Sequence, residues 1–482
     1  MSADFDSRHA TVIIQGMNSY KRQIPLTSEI PSLEYAQIFT ASSIMFDTGK
    51  GKELATFDVT VREMPGKKNF LILGGIEDMI NIISNWGYDI KFINYLQEEK
   101  IISPSFAKHL KNFKFQGEIM AMPEGTIFFP GEPVIRVTTS LYDANLFTAF
   151  LVNVICYPTL FLSKAVRVRL AAGGKAFYFA GAMRAFSFEN ILKIQRYSYL
   201  LGAPMHVPYA SYHFGIKGRK PAIGFYHALI KSFSSEEEAY RHFLPWTEGF
   251  SVSTSMVDTY DVKTGIANWI KVEKEARQKG MSLGAVSIDS GDVFEMAEFF
   301  RQKLDEADLN DTLILAYSNL DEFKIADLEK RGAKINGYCA FTEISSVSDR
   351  PVLEVVYKLA ERIDKNGKVQ YTAKLTPGKV SLPGKKQVFR KYNPNRTFKE
   401  DTIGLEEEKL GGPLLVLYIK NGKVVRKLPE LDQIKEYIDQ QLNRLPEKLK
   451  MIEETKAYPV STSKKIQSIL NQIKKEHSSS TL

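Results

Sequence analysis

The stretch GAVSIDSGDVFEMAEFFRQKLDEA (284–307) decides the fold. Its first part is a short apolar run that ends in small polar residues. Its second part carries apolar side chains three and four apart, the spacing of a helix packed on one face. The succession recurs: LILAYSN (313–319) leads into DEFKIADLEKRG (321–332), and INGYCAF (335–341) supplies a further short strand. Parallel strands need a crossover between them, so strands alternating with helices at this spacing imply βα units and a mainly parallel sheet. Several in succession imply a barrel or a doubly wound sheet.

Outward from this centre the character changes. Residues 33–46 read as a helix, followed by a Gly/Lys turn and the strand-like ATFDVTVRE (55–63). Residues 76–100 have helical spacing, and PEGTIFFPGEPVIRVTT (123–139) is strand and turn material punctuated by Pro and Gly. Beyond 370 the chain returns to Lys/Gly/Pro-rich strand patterns and then a helical tail. The expected organisation is a barrel domain over 146–358, flanked by one domain built from 1–145 and 359–482. The run Ala144–Ser163 contains no charge and has the length of a membrane span. It also holds Asn145, Asn153 and Pro158, so it reads as buried helix rather than a span.

The chain has 482 residues, with 64 Lys+Arg against 56 Asp+Glu, a formal charge of +8. That balance suits nucleic acid, an acidic membrane surface or phosphorylated small molecules. Residues 441–482 alone hold 8 Lys+Arg and 4 Asp+Glu, which makes +4 of the +8. The rest is close to balanced, which leaves little support for a nucleic-acid or membrane partner. Two cysteines, Cys156 and Cys339, make neither a metal knuckle nor a disulfide framework and point to a reducing, cytoplasmic setting. No basic-then-apolar leader opens the sequence.

In a barrel, polar residues just after a strand face the common pocket. SIDSGD (287–292) puts Asp289, Ser290 and Asp292 there, suited to ribose hydroxyls, Mg²⁺ or phosphate; a helix cap before VFEMAEFF explains them equally well. VDTYD (257–261) carries Asp258 and Asp261, as substrate-orienting groups or turn formers. YSNLDE (317–322) offers Ser318 and Asn319 to phosphate, or a cap. His227, in AIGFYHALIKSF (222–233), lies between a short apolar run and a helix, placed for acid–base work or phosphate acceptance, or as a structural histidine. Cations for an anionic substrate are Lys164, Arg167 and Arg169 in SKAVRVRLAAGG, Arg184 in GAMRAF, and six Lys/Arg in 374–392, where an exposed hairpin is the alternative. His206 and His213 flank Pro208 without a third ligand at metal spacing. No GxxxxGK[ST] loop and no GxGxxG after a strand is present.

Taken together these segments resemble the nicotinate phosphoribosyltransferase family in its longer form, over about residues 33–470. The matching segments run in order: ATFDVTVRE, LGGIED, PEGTIFFPGEP, SKAVRVRLAAGG, VDTYDVKTGIAN, IDSGD, LDEFKIADL, VYKLAE, KLTPGKVSLPGKKQVFRK, DTIGLEEE and YPVSTS. The resemblance implies an incomplete α/β barrel beside an open-faced α/β sandwich built from both chain ends. It implies an enzyme that joins nicotinate to phosphoribosyl pyrophosphate with ATP and Mg²⁺, in NAD synthesis, as a homodimer. His227 falls at the place of the family's phosphorylated histidine. The expected site has His227 and Asp289 as catalytic residues. Arg184, Lys164, Arg167, Ser290, Asp292, Ser318, Asn319 and Gly337 are its expected substrate contacts.

Several pocket positions depart from the family's pattern. Paired arginines are reduced to Met183-Arg184, and a Gly-Pro-Asp-Gly segment is replaced by SFEN (187–190). Gly224 stands for a hydroxyl residue, Ser287 for an arginine, and Ala36 for a tyrosine that packs on nicotinate, with Tyr35 beside it. The family's Gly-x-Gly-Thr phosphate turn is matched to Gly337, Tyr338, Cys339 and Ala340. An active phosphoribosyltransferase is the leading expectation; the alternative is a relative with altered or lost catalysis that binds or regulates.

Overall fold

A computed structural model describes residues 27–216, 223–250 and 252–478. Its centre is a sheet of six strands: β1 Ala176–Phe179, β2 Ile223–Phe225, β3 Ser253–Met256, β4 Ala285–Ile288, β5 Ile314–Ala316 and β6 Gly337–Ala340. The sheet order is β1-β6-β5-β4-β3-β2, and every neighbouring pair is parallel. This is the cyclic order of a barrel with one join missing, between β1 and β2. All four residues of β4 are buried, as a parallel strand covered on both faces requires.

The helices on its outer face follow the expected periodicity. α1 (Cys156–Ala171) precedes β1, and α2 (Phe188–Leu200) follows it. α3 (His227–Lys231), α4 (Val262–Arg277), α5 (Val293–Glu306) and α6 (Glu322–Lys330) follow β2, β3, β4 and β5. Asp261, Asp292 and Asp321 cap α4, α5 and α6 by accepting backbone N–H groups at the helix start. Each such cap contributes about 1 kcal/mol. The stretch Thr148–Ala171 holds a window apolar enough to cross a membrane, yet 72% of that window is buried inside the fold, and the stretch forms two helices.

The flanking domain is a seven-stranded antiparallel sheet. Its strands run, in order, 369–371, 355–363, 54–61, 133–140, 118–121, 416–420 and 423–424, so both ends of the chain meet in it. Helices 36–47, 76–84, 90–98 and 104–111 share its core. A four-stranded sheet over 386–392, 398–405, 412–413 and 460–462 completes this part. The architecture is an incomplete α/β barrel with an α/β sandwich. We propose the division 1–145, 146–358 and 359–482 as its domain boundaries; strand 355–363, which spans the second boundary, lies in the antiparallel sheet along its whole length.

A buried charge network ties these bodies together. Glu322 opens α6 with 1% exposure, and its Oε1 accepts from Arg167 Nε at 2.9 Å. Lys164 Nζ lies 2.8 Å from Oε2, an ionic contact rather than an aligned hydrogen bond. Lys164 also meets Asp349 Oδ1 at 3.2 Å, and Asp349 Oδ2 accepts from Lys68 Nζ at 2.6 Å. Arg167 Nη2 donates to the Ile452 carbonyl at 2.6 Å. Burial alone would raise the Asp349 carboxyl, but Lys68 and Lys164 outweigh it and hold it below its ordinary value.

Removing one member of a buried ion cluster strands the others without compensation. Glu322→Gln is therefore expected to cost about 3–5 kcal/mol. Urea denaturation reads this as a lower midpoint at unchanged slope; an unmoved midpoint would show that the network does not hold α6.

Candidate active site

The strands β2, β3 and β4 are neighbours, so the loops at their C-terminal ends stand side by side on one rim. His227, Asp258 and Asp289 each sit one or two residues past a strand end. Their spacings are 258 − 227 = 31 and 289 − 258 = 31, one βα unit each. The chain rule that builds the sheet thus also brings these three side chains together.

The contacts form a short chain across the rim. His227 Nδ1 lies 3.1 Å from Thr259 Oγ1. His227 Nε2 lies 3.6 Å from Asp289 Oδ2, an ionic distance longer than a hydrogen bond. Ser290 Oγ donates to Asp258 Oδ2 at 2.6 Å, while Asp258 Oδ1 is buried without a hydrogen-bond partner. Burial raises the Asp289 carboxyl, the negative charge of Asp258 raises it further, and His227 partly offsets both. Asp258 is held in place from behind by Gly265 of α4: a Cβ there would run into the Val257 carbonyl. Only glycine lets the helix approach the strand end this closely.

Other expected site residues are placed as follows. Arg184 lies in the turn Gly181–Arg184 after β1, exposed, with no hydrogen bond or ion pair to another described residue. It remains free to meet an anion. Ser318 and Asn319 line a groove of about 460 Å³ with Gly291, Asp292, Lys324 and Arg331. The Asp292 carboxylate is occupied as the cap of α5, accepting from Glu295 N at 2.9 Å, which is the capping alternative realised. Asp261 likewise caps α4, accepting from Thr264 N at 2.8 Å.

Three expectations are corrected. Lys164 and Arg167 are not presented to the rim; they are 1% and 3% exposed and neutralised by Glu322 and Asp349. Their cationic residue types suggested an anionic substrate, but their acidic partners lie more than 150 residues away in sequence. Gly337 is not in a turn. It opens β6 at the end opposite the rim, where a Cβ would press on Leu315 Cδ2 at 2.9 Å and Ala176 O at 3.0 Å. After β6, Phe341 is followed by Thr342, which opens the short helix Thr342–Ser345, so a threonine does stand there.

In the 374–392 segment, Lys385, Lys386, Arg390 and Lys391 are all paired with acids, leaving Lys374 and Lys379 as exposed cations with no acidic partner among the described residues. Thr259 went unnoticed in the sequence. The 31-residue spacing from His227 was the signal that would have singled out its loop.

A family model described as the nicotinate phosphoribosyltransferase N-terminal domain matches residues 37–156, and the C-terminal domain of the same family matches 410–470. Both stretches lie outside the parallel sheet. The chain is 33% identical over 417 residues to a nicotinate phosphoribosyltransferase of Mycobacterium tuberculosis, covering 86% of this chain and 87% of that protein. It is 28% identical over 444 residues to the Bacillus subtilis nicotinate phosphoribosyltransferase, covering 86% and 89%. In structure it is similar to the crystal structure of human nicotinic acid phosphoribosyltransferase, with a TM-score of 0.78 at 22% identity, covering 91% of this chain and 99% of that one.

The like-charged pair on the rim has a measurable effect on stability. Because the folded Asp289 holds its proton more tightly than an unfolded Asp, near pKa 3.9, the stability this contributes is full below that value. It is lost as pH rises through the folded pKa. Asp258→Asn removes a charge that raises this carboxyl, so the melting temperature should rise at pH 7, with the gain fading toward pH 3. A variant that melts below the parent at pH 7 would reject the like-charge account.

Proposed function

The chain belongs to the nicotinate phosphoribosyltransferase family, and we propose that it joins nicotinate to phosphoribosyl pyrophosphate at the rim defined by His227, Asp258 and Asp289. The products are nicotinate mononucleotide, for NAD synthesis, and pyrophosphate. The observation that carries this reading is the meeting of those three residues from successive βα units, on a chain 33% identical to a nicotinate phosphoribosyltransferase over most of its length. The reading of a relative with lost catalysis has no such support.

In this reaction the bond from ribose C1 to the pyrophosphate oxygen breaks, and the ring nitrogen of nicotinate bonds to C1. Positive charge develops on the sugar, and negative charge on the leaving group. Asp289, made costly to ionise first by burial and then by Asp258, would hold ribose hydroxyls or oppose the sugar's charge. Arg184, unpaired and exposed, is placed to receive a phosphate.

Two rim carboxylates, one with a buried oxygen lacking a partner, fit a divalent cation. Among the described residues no cluster of three or more His, Cys, Asp or Glu could hold a metal, which suits Mg²⁺, an ion that takes one or two carboxylates and completes its shell from water and substrate phosphates. Asp258 and Asp289 would hold it, and it would supply charge neutralisation for the departing pyrophosphate.

His227 couples the reaction to ATP. With the Nδ1 proton donated to Thr259 Oγ1, its Nε2 keeps a lone pair for the transferred phosphoryl group. The enzyme works as a cytoplasmic homodimer. Past the end of β1, Met183 and Phe188 are each 79% exposed, apolar surface suited to a second copy.

Purified protein supplied with nicotinate, phosphoribosyl pyrophosphate, Mg²⁺ and ATP should form nicotinate mononucleotide and pyrophosphate in equal amounts. No mononucleotide under any of these conditions would sink the reading. His227→Ala should abolish the stimulation by ATP, and unchanged stimulation would reject the role given to that histidine. Light scattering should return about twice the 54.6 kDa of one chain.

A further inference from the structure

Tyr317 follows the last residue of β5, and none of the chemistry above uses it. Ala316 is in register with Ile288, so Tyr317 stands at the level of Asp289, and its N–H donates to the Ile288 carbonyl at 2.7 Å. The ring packs inside the curl of the sheet, against a cluster of Tyr178 from β1, Ala285 from β4, Leu315 from β5 and Cys339 from β6. It meets Phe341, past the end of β6, at 5.9 Å between ring centroids.

The phenol hydroxyl faces Thr254 of β3, two strands away, so the side chain spans β4. That crossing needs small residues beneath it. Val286 and Ile288 belong to the outer core, so by strand alternation β4 turns Ala285 and Ser287 inward. Ser287 is drawn down onto the Ser255 carbonyl, with Oγ donating at 2.9 Å. A long side chain at 287 would compete for the space the Tyr317 ring occupies.

We propose that Tyr317 sets the depth of the base pocket: its ring is the floor on which the incoming aromatic base stops, and it decides which ring substituents the base can carry. This rests on the phosphoribosyltransferase reading. A flat base entering between the loops of His227, Asp258 and Asp289 meets this ring at the level of Asp289, and the interior below is filled by Tyr178, Leu315 and Cys339. An aromatic face is a fitting floor for a flat π-system, which packs on it without needing a charge.

The test is a panel of nicotinates methylated at ring positions 2, 4, 5 or 6, compared with nicotinate in the parent, Tyr317→Ala and Tyr317→Phe proteins. One methyl group in a close-fitting pocket is worth roughly tenfold or more in discrimination. At least one methylated base should therefore gain about tenfold in kcat/KM relative to nicotinate in Tyr317→Ala. Tyr317→Phe, which keeps the ring, should retain the parent's ratios. Ratios within about twofold of the parent for every base in Tyr317→Ala would overturn the proposal, as would a Tyr317→Phe that relaxes discrimination equally.

Tyr317→Leu, which keeps an apolar group against Tyr178 and Cys339, reads the same way should the alanine variant fail to fold. Calorimetric binding of the same bases separates the two ideas. Binding that discriminates through Tyr317 without turnover defeats the proposed reaction alone. Turnover with unmoved ratios defeats the assignment of Tyr317 alone, and neither binding nor turnover in the parent defeats both.

Discussion

The buried charges around Glu322 are the constraint on which the arrangement of the two bodies depends. Glu322 is the first residue of α6, directly after the loop of Ser318 and Asn319, so whatever fixes it also fixes one side of the rim. Lys164 and Arg167 hold it to α1, the helix that feeds β1, and Asp349 passes the connection to Lys68 near the antiparallel sheet. Desolvating five charged groups is costly, and the cost is offset only when every partner is in place. The network therefore acts as a registry device: a small displacement of either body leaves a charge buried and alone. A second buried pair lies within the four-stranded sheet, where Arg390 and Asp401 face each other across two strands with no exposure and Tyr458 donates to Asp401.

With the bodies held, the rim follows from chain direction alone. Parallel strands send all their C-terminal ends to one edge, and adjacency in the sheet puts the loops of β2, β3 and β4 together. The missing join between β1 and β2 leaves the barrel open. The interior is filled by side chains, Tyr317 among them. Of the positions expected to depart from the family's pattern, Ser287 lies on β4 and Met183 in the turn after β1, whereas Ala36 opens a helix of the flanking domain. The stretches matched by the family models lie outside the parallel sheet.

Much of the fold was legible because periodicity reports burial. GAVSIDSGDVFEMAEFF predicted a strand, a polar turn and a helix, and these are β4, the Asp289–Asp292 turn and α5. The reading of the site rested on local position at His227, Asp289 and Ser290, which do stand just past strand ends. It failed at Lys164 and Arg167, whose chemistry is set by Glu322 and Asp349, far away in sequence. It also failed at Gly337, because a glycine quoted in a motif does not say whether a turn or a packed strand requires it. The reading of 144–163 as buried helix agrees with the placement of 148–171 in the core, where length and composition alone would equally permit a span.

By itself the sequence determined the βα succession, the strand-end positions of the polar residues and the 31-residue spacing of His227, Asp258 and Asp289. Those depend on local conformation and the repeat of one structural unit. Only the tertiary structure decided which cations are free and which are neutralised, which aspartates cap helices, and which side chain fills the barrel. Charge compensation and packing are properties of neighbours in space, and sequence order does not record them.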